Sequence, residues 1–198
     1  MRWVVATANA HKVRELAALL DGLAIELVAR PQGVEIPPET GTTFLANARI
    51  KARAIAQATG EIALADDSGL EVDALGGDPG VFSARYAGEG ASDADNNAKL
   101  LGELSGIHGP NRRARFRCAL ALVAPDGREL TADGRCEGFV LDAECGAGGF
   151  GYDPLFQPEG DTRSLAEYAE AEKNAISHRG RAARKLREML ERLGRLTP

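Results

Sequence analysis

A chain of 198 residues, 44% apolar and 27% charged, has ordinary globular composition and enough length for a real core, and it holds no apolar run approaching a membrane span. Its formal charge of −5 argues against a surface that coats nucleic acid, which needs many Lys and Arg contacts to phosphate, but a local positive cluster for one small anion remains open. Cys118, Cys136 and Cys145 are widely spaced with no C-x-x-C, which argues against a disulfide framework or a thiolate metal site. The start MRWVVATANAHK turns polar too early for a signal peptide, so a cytoplasmic protein with one domain over 1–198 is expected.

In chain order, Arg2 to Thr7 (RWVVAT) predicts a first strand. Asn9 then caps a helix running to about Leu20, with Val13, Leu16, Ala17 and Leu20 as its apolar stripe. Ile25 to Val28 reads as a second strand. After a Pro-rich loop, Thr42 or Thr43 opens an Ala-rich helix that Gly60 ends. The apolar run of ALADDSGLEV (Ala63 to Val72) reads as a third strand that ends in two acids. Turn chemistry from Gly76 to Gly80 leads into VFSARY, and Ser92 with Asp95 opens a helix to about Ser105. RRARFRCALALVA, the turn at Pro125, Asp126 and Gly127, and RELTADGRCEG form an antiparallel hairpin. A glycine-rich loop, GAGGFGYDPLF, precedes two helical stretches, SLAEYAEAEKN and, capped by Ser177, HRGRAARKLREMLERLG. Strands alternating with helices, plus a hairpin, give an α/β class with a mixed sheet.

Side chains able to do chemistry gather in four places. Adjacent residues of a strand point to opposite faces, so Asp66 and Asp67 should have different roles; the plain alternative is a turn that ends the strand. Thr7 to Lys12 (TANAHK) follows a strand and opens a helix, where backbone N–H groups and Lys12 can hold phosphate oxygens, although the segment lacks the P-loop pattern. Glu39 stands just before a helix and Lys51 about two turns into it. Glu39 either favours the helix dipole or shares a metal with Asp67, and Mg²⁺ accepts such a set because it takes one or two carboxylates, waters and phosphate oxygens. Phe150 to Asp153 offers an aromatic face for a base, and Lys173, His178 and Arg179 add cationic or donor groups. His178 and Arg179 oppose the dipole at a helix start, and such rule-breaking marks functional positions. Three scattered histidines and no G-x-S-x-G exclude an arguable Ser/His/Asp triad and weigh against zinc.

ATANAHKVREL, ETGTTFLANARIKA, ADDSGLEVDALGGDPGVFSARYAG, GGFGYDP and EKNAISHRGRA, in this order, resemble the inosine triphosphate pyrophosphatases over nearly the whole chain. The resemblance implies a mixed, strongly twisted sheet flanked by helices, a smaller antiparallel hairpin lobe and a cleft between lobes. It implies hydrolysis of ITP, dITP and XTP to the monophosphate and pyrophosphate, with Mg²⁺ as cofactor. By the same resemblance Asp67 accepts the proton of the attacking water and contacts the metal, and Glu39 is the second metal ligand. Thr7, Ala8, Asn9, Ala10, His11 and Lys12 bind the triphosphate, with Lys51 and Ser68 nearby. Phe150, Gly151, Tyr152 and Asp153 form the base-binding loop, and Lys173, His178 and Arg179 are further substrate contacts; Asp66 and Arg85 have no fixed role. The family also implies a homodimer, with no nucleic-acid or membrane partner.

If His178 and Arg179 donate to a 6-keto oxygen, adenine's amino group leaves them unpaired at about 1–3 kcal/mol per buried group, and ATP becomes a poor substrate. Two rivals stand beside this reading: a pyrophosphatase for pyrimidine or modified nucleotides, and a nucleotide-binding regulator without turnover.

Overall fold

The computed structural model describes residues 1–7 and 9–196, with side chains through Leu193. Six strands and five α-helices follow one another among them: β1 (Arg2–Val5), α1 (Ala10–Leu19), β2 (Glu26–Ala29), α2 (Phe44–Thr59), β3 (Ile62–Val72), α3 (Asp93–Glu103), β4 (Arg113–Val123), β5 (Glu129–Val140), β6 (Phe156–Pro158), α4 (Glu170–Ile176) and α5 (His178–Leu196). The strands form one mixed sheet in the order β2-β1-β3-β4-β5-β6. β1 runs parallel to both β2 and β3, and parallel neighbours need crossovers, which α1 and α2 supply. β4 and β5 turn back on each other through Ala124 and Arg128, whose backbones bond at 2.9 Å, and β6 pairs antiparallel with β5.

Local chemistry explains the element ends. The Asn9 carboxamide accepts from the N–H groups of His11 and Lys12 and so caps α1. Thr43 caps α2 through Ala46 N–H, and Gly60, with φ +67, ends that helix in the left-handed conformation. Ser92 and Asp95 make a reciprocal capping box on α3.

Three boundaries differ from those predicted. β1 stops at Val5, because the Thr7 hydroxyl already accepts from Asn9 N–H and turns the chain toward the cap. β3 does not end at the acids but runs on to Val72 beside β4, so Asp66 and Asp67 lie in mid-strand; they are at an end only relative to β1, whose last bond to β3 joins Ala6 N–H to Leu64 O at 2.8 Å. The single helix expected over SLAEYAEAEKN is broken. Glu167 caps Ser164 N–H and limits the first part to one 3-10 turn, Leu165–Glu167; Tyr168 is extended, its hydroxyl on Asp161; and Glu172 caps Ala169 N–H to start α4.

The chain divides into two compact units. The first comprises Met1–Asp67, Cys118–Gly134 and the residues from Arg179 onward, and the second Ser68–Arg117 and Arg135–His178. The first closes over Trp3, Val5, Leu16, Leu20, Leu64, Leu120 and Leu186, and the second over Leu70, Leu100, Leu104, Phe116, Tyr152, Phe156 and Leu165. Among the described residues no helix is long and apolar enough to cross a membrane.

Gly69 shows how closely the second unit is packed. A Cβ there would lie 2.5 Å from the Gly80 carbonyl oxygen and closer still to Ser83 Oγ, which is itself held by Leu70 N–H and Gly80 O. A backbone oxygen cannot swing aside, so Gly69→Ala should cost about 1–3 kcal/mol as overpacking. The check is a urea denaturation midpoint; an unchanged midpoint would contradict this packing.

Candidate active site

In the first unit, β3 delivers two carboxylates to two different sets of cations. Asp66 has no exposed surface. Lys12 Nζ approaches its Oδ1 at 2.6 Å, while Arg179 Nε and the Cys118 thiol donate to Oδ2 at 2.8 and 3.2 Å. Burial alone would raise its pKa, but Arg179 and then Lys12 outweigh that and hold the carboxyl well below the usual carboxylate range. The other end of the Arg179 guanidinium pairs with Glu15 on α1.

Asp67 takes part in the second set. Lys51 Nζ lies 2.6 Å from Asp67 Oδ1 and 2.7 Å from Glu39 Oε1, so one ammonium joins an acid of the loop before α2 to an acid of β3. Asp67 is 5% exposed, and burial pushes its carboxyl up to about 6 against the opposing pull of Lys51. Burial also disfavours the Lys51 charge, but Asp67 and Glu39 outweigh it and hold the ammonium above its ordinary value. Asn47 lies one turn before Lys51 on α2, and its side-chain oxygen accepts from Gly41 N–H at 2.8 Å, which ties down the loop carrying Glu39.

These carboxylates fit a hard divalent cation that asks for one or two protein oxygens and completes its shell with water and phosphate. Among the described residues no group of three or more His, Cys, Asp or Glu is arranged to hold a metal.

The second unit carries the aromatic loop. Asp153, 2% exposed, accepts from Phe150 N–H at 2.8 Å and from Lys173 Nζ at 2.6 Å, and that ammonium stands 4.6 Å from the centroid of the Phe150 ring. Gly149, with φ +71, passes so near that a Cβ would lie 2.8 Å from Asp153 Cβ. His178 stacks on Phe116, with centroids 4.7 Å apart and planes at 10°.

The structure thus brings Glu39, Lys51 and Asp67 together in one cluster, and Phe150, Asp153 and Lys173 in another. Lys12 is placed on Asp66 rather than on Asp67. In this structure three of the predicted contact groups bond within the protein. The N–H groups of His11 and Lys12 are satisfied by Asn9, so the helix start meets its own cap where phosphate oxygens were expected. Tyr152 belongs to the core at 4% exposure and its hydroxyl donates to Ser83 O. Arg179 is 1% exposed and pairs with Asp66 and Glu15. His11 is exposed beside Arg14, Ala10 is the exposed first residue of α1, and Ser68 is partly buried in β3. Ala8 lies outside the described residues.

Glu15 and Cys118 were not foreseen. Glu15 is 6% exposed and adjoins Leu16 of the apolar stripe, and an acid beside such a stripe, three residues after Lys12, is the signal that could have marked it.

A six-stranded mixed sheet flanked by helices defines an α/β protein. The sequence profile of the Ham1 family matches residues 3–189. The dITP/XTP pyrophosphatase of Desulforamulus reducens is 52% identical over 195 residues, covering 98% of this chain and 97% of that protein. The solved structure of a HAM1 protein from Coxiella burnetii superimposes with a TM-score of 0.89 at 42% identity, covering 97% of this chain and 99% of that one. The Ham1 protein of Staphylococcus aureus gives 0.85 at 36% identity, covering 96% and 98%. The chain belongs to the Ham1 family.

Proposed function

We propose that the protein is a hydrolase that converts the non-standard purine nucleoside triphosphates ITP, dITP and XTP to the monophosphate and pyrophosphate, with Mg²⁺. The observation that carries this reading is the joining of Glu39 and Asp67, distant in sequence, on the single Lys51 ammonium, in a chain whose curated relatives bear the name dITP/XTP pyrophosphatase. Mg²⁺ held by Glu39 and Asp67 would neutralise phosphate oxygens and polarise the phosphorus. Asp67 accepts the proton of a water that attacks the α-phosphorus; the bond from that phosphorus to the bridging oxygen breaks, and pyrophosphate leaves. Lys51 keeps the two acids from repelling each other until substrate and metal arrive, and Lys12 supplies positive charge for the triphosphate.

Phe150 stacks on the base, with His178 and Arg179 as donors toward a 6-keto oxygen and the Lys173 ammonium beside the Phe150 ring. A 6-amino group would leave such donors unpaired at about 1–3 kcal/mol each, a loss of about tenfold or more in kcat/KM for ATP. A homodimer in the cytoplasm belongs to the same reading, and light scattering tests the dimer.

The test is pyrophosphate release from ITP and from ATP, each with Mg²⁺ and with EDTA. Turnover of ITP is expected with Mg²⁺ only, and turnover of ATP should be slight. Release of pyrophosphate from ITP in EDTA, or equal use of ATP, would overturn the metal or the base assignment respectively.

A further inference from the structure

In the second unit, one face of α3 holds the aromatic loop by its backbone. Gly151 N–H donates to Asp93 Oδ2 at 2.6 Å, and Gly151 C=O accepts from Asn97 Nδ2 at 3.2 Å. Residues four apart on a helix share a face, so Asp93 and Asn97 grip both polar groups of one residue from one side. Asn97 is 3% exposed, and its Nδ2 also donates to Glu144 Oε1 at 2.8 Å. Both of its partners are acceptors, so only this orientation of the amide serves them. Gly151 itself has φ +60 with open space where a Cβ would be, so glycine is required there by backbone conformation and not by crowding.

The neighbouring residue of α3 does the same for a second segment. Asn96, also 3% exposed, accepts from Ala87 N–H at 2.8 Å and donates to Ala84 O at 3.3 Å, and Lys99 Nζ reaches Tyr86 O at 2.8 Å. Tyr152 OH closes the arrangement on Ser83 O at 2.8 Å. The loop from Phe150 to Asp153 and the segment from Ser83 to Ala87 are thus hung from one helix by side chains that bond backbone.

We infer that Asp93 and Asn97 are positioning residues for base selection: they set the Gly151 peptide, and through it the attitude of the Phe150 ring beneath Lys173. The inference rests on the reading that this loop takes the base. An acceptor at position 93 is what matters, rather than a charge, because the group that it meets is a neutral N–H.

The experiment compares the wild-type protein with Asp93→Ala and Asp93→Asn. Position 93 is exposed and lies on the first turn of α3, and asparagine keeps an acceptor oxygen while removing the charge. Asp93→Ala is expected to raise the KM for ITP about tenfold, to reduce the preference for ITP over ATP, and to change kcat little. Asp93→Asn should rescue both readouts. Inhibition by inorganic tripolyphosphate, which has no base, should be the same in all three proteins. Unaltered KM and base preference in Asp93→Ala would overturn the inference, as would an equal defect in Asp93→Asn or a matching loss of tripolyphosphate inhibition. Absence of pyrophosphate release by the wild-type protein from ITP would instead strike the functional reading, and the inference with it.

Discussion

Asp67→Asn is expected to lower kcat for pyrophosphate release from ITP by about 10²–10⁴-fold, the usual range for a lost general base. The substitution is nearly isosteric, and a carboxamide oxygen can still accept from Lys51, so the bond now measured at 2.6 Å has a successor. What disappears is the proton acceptor and one negative charge of the proposed metal pair. The readout is single-turnover pyrophosphate release at saturating ITP across a Mg²⁺ titration, with circular dichroism as a check on folding. Release at the wild-type rate would remove Asp67 from the chemistry. Release restored to near the wild-type rate by higher Mg²⁺ alone would reduce Asp67 to a metal ligand.

Asp66→Asn should act on stability instead. Asp66 is fully buried and receives Arg179, Lys12 and the Cys118 thiol, so neutralising it removes a charge partner of the buried Arg179 and of Lys12. Breaking one partner of a buried ion network costs about 3–5 kcal/mol, which for a chain of this size lowers Tm by about 10 °C. The pH dependence has a definite sign. The folded-state pKa of Asp66 is depressed below its ordinary 3.8, so its contribution is complete above that value and is lost as pH falls through the folded-state pKa. The stability gap between wild type and Asp66→Asn should therefore be constant from about pH 7 to 5 and close in stronger acid, as read by urea denaturation across that range. A gap that widens in acid would mean that Asp66 is not the charged centre of the network.

Much of the first unit was legible residue by residue because its signals are local. Asn9 and Thr43 announce helix starts through bonds that span three residues or fewer, and Gly60 announces a stop through its own φ. The hairpin of β4 and β5 follows from alternation and one turn. By contrast, the end of β3 was misplaced, since Asp, Ser and Gly look like a turn until β4 is known to pair alongside them. The break after Glu167 was hidden for a similar reason: Tyr168 leaves the helix to bond Asp161, seven residues earlier in a loop.

The four site segments could be named in advance because carboxylates, lysines and an aromatic glycine loop are chemically conspicuous in any context. Which charge meets which could not be named. Nothing in the order of residues states that Lys51 joins Glu39 to Asp67, that Arg179 pairs with Asp66 and Glu15, or that Asp93 and Asn97 hold Gly151. Helix caps, glycine turns and strand alternation come from steric and hydrogen-bonding preferences within a few residues, and those are written along the chain. The pairing of buried charges depends on distances across the fold, where desolvation requires a buried ammonium or guanidinium to find acceptors, and only packing says which ones those are.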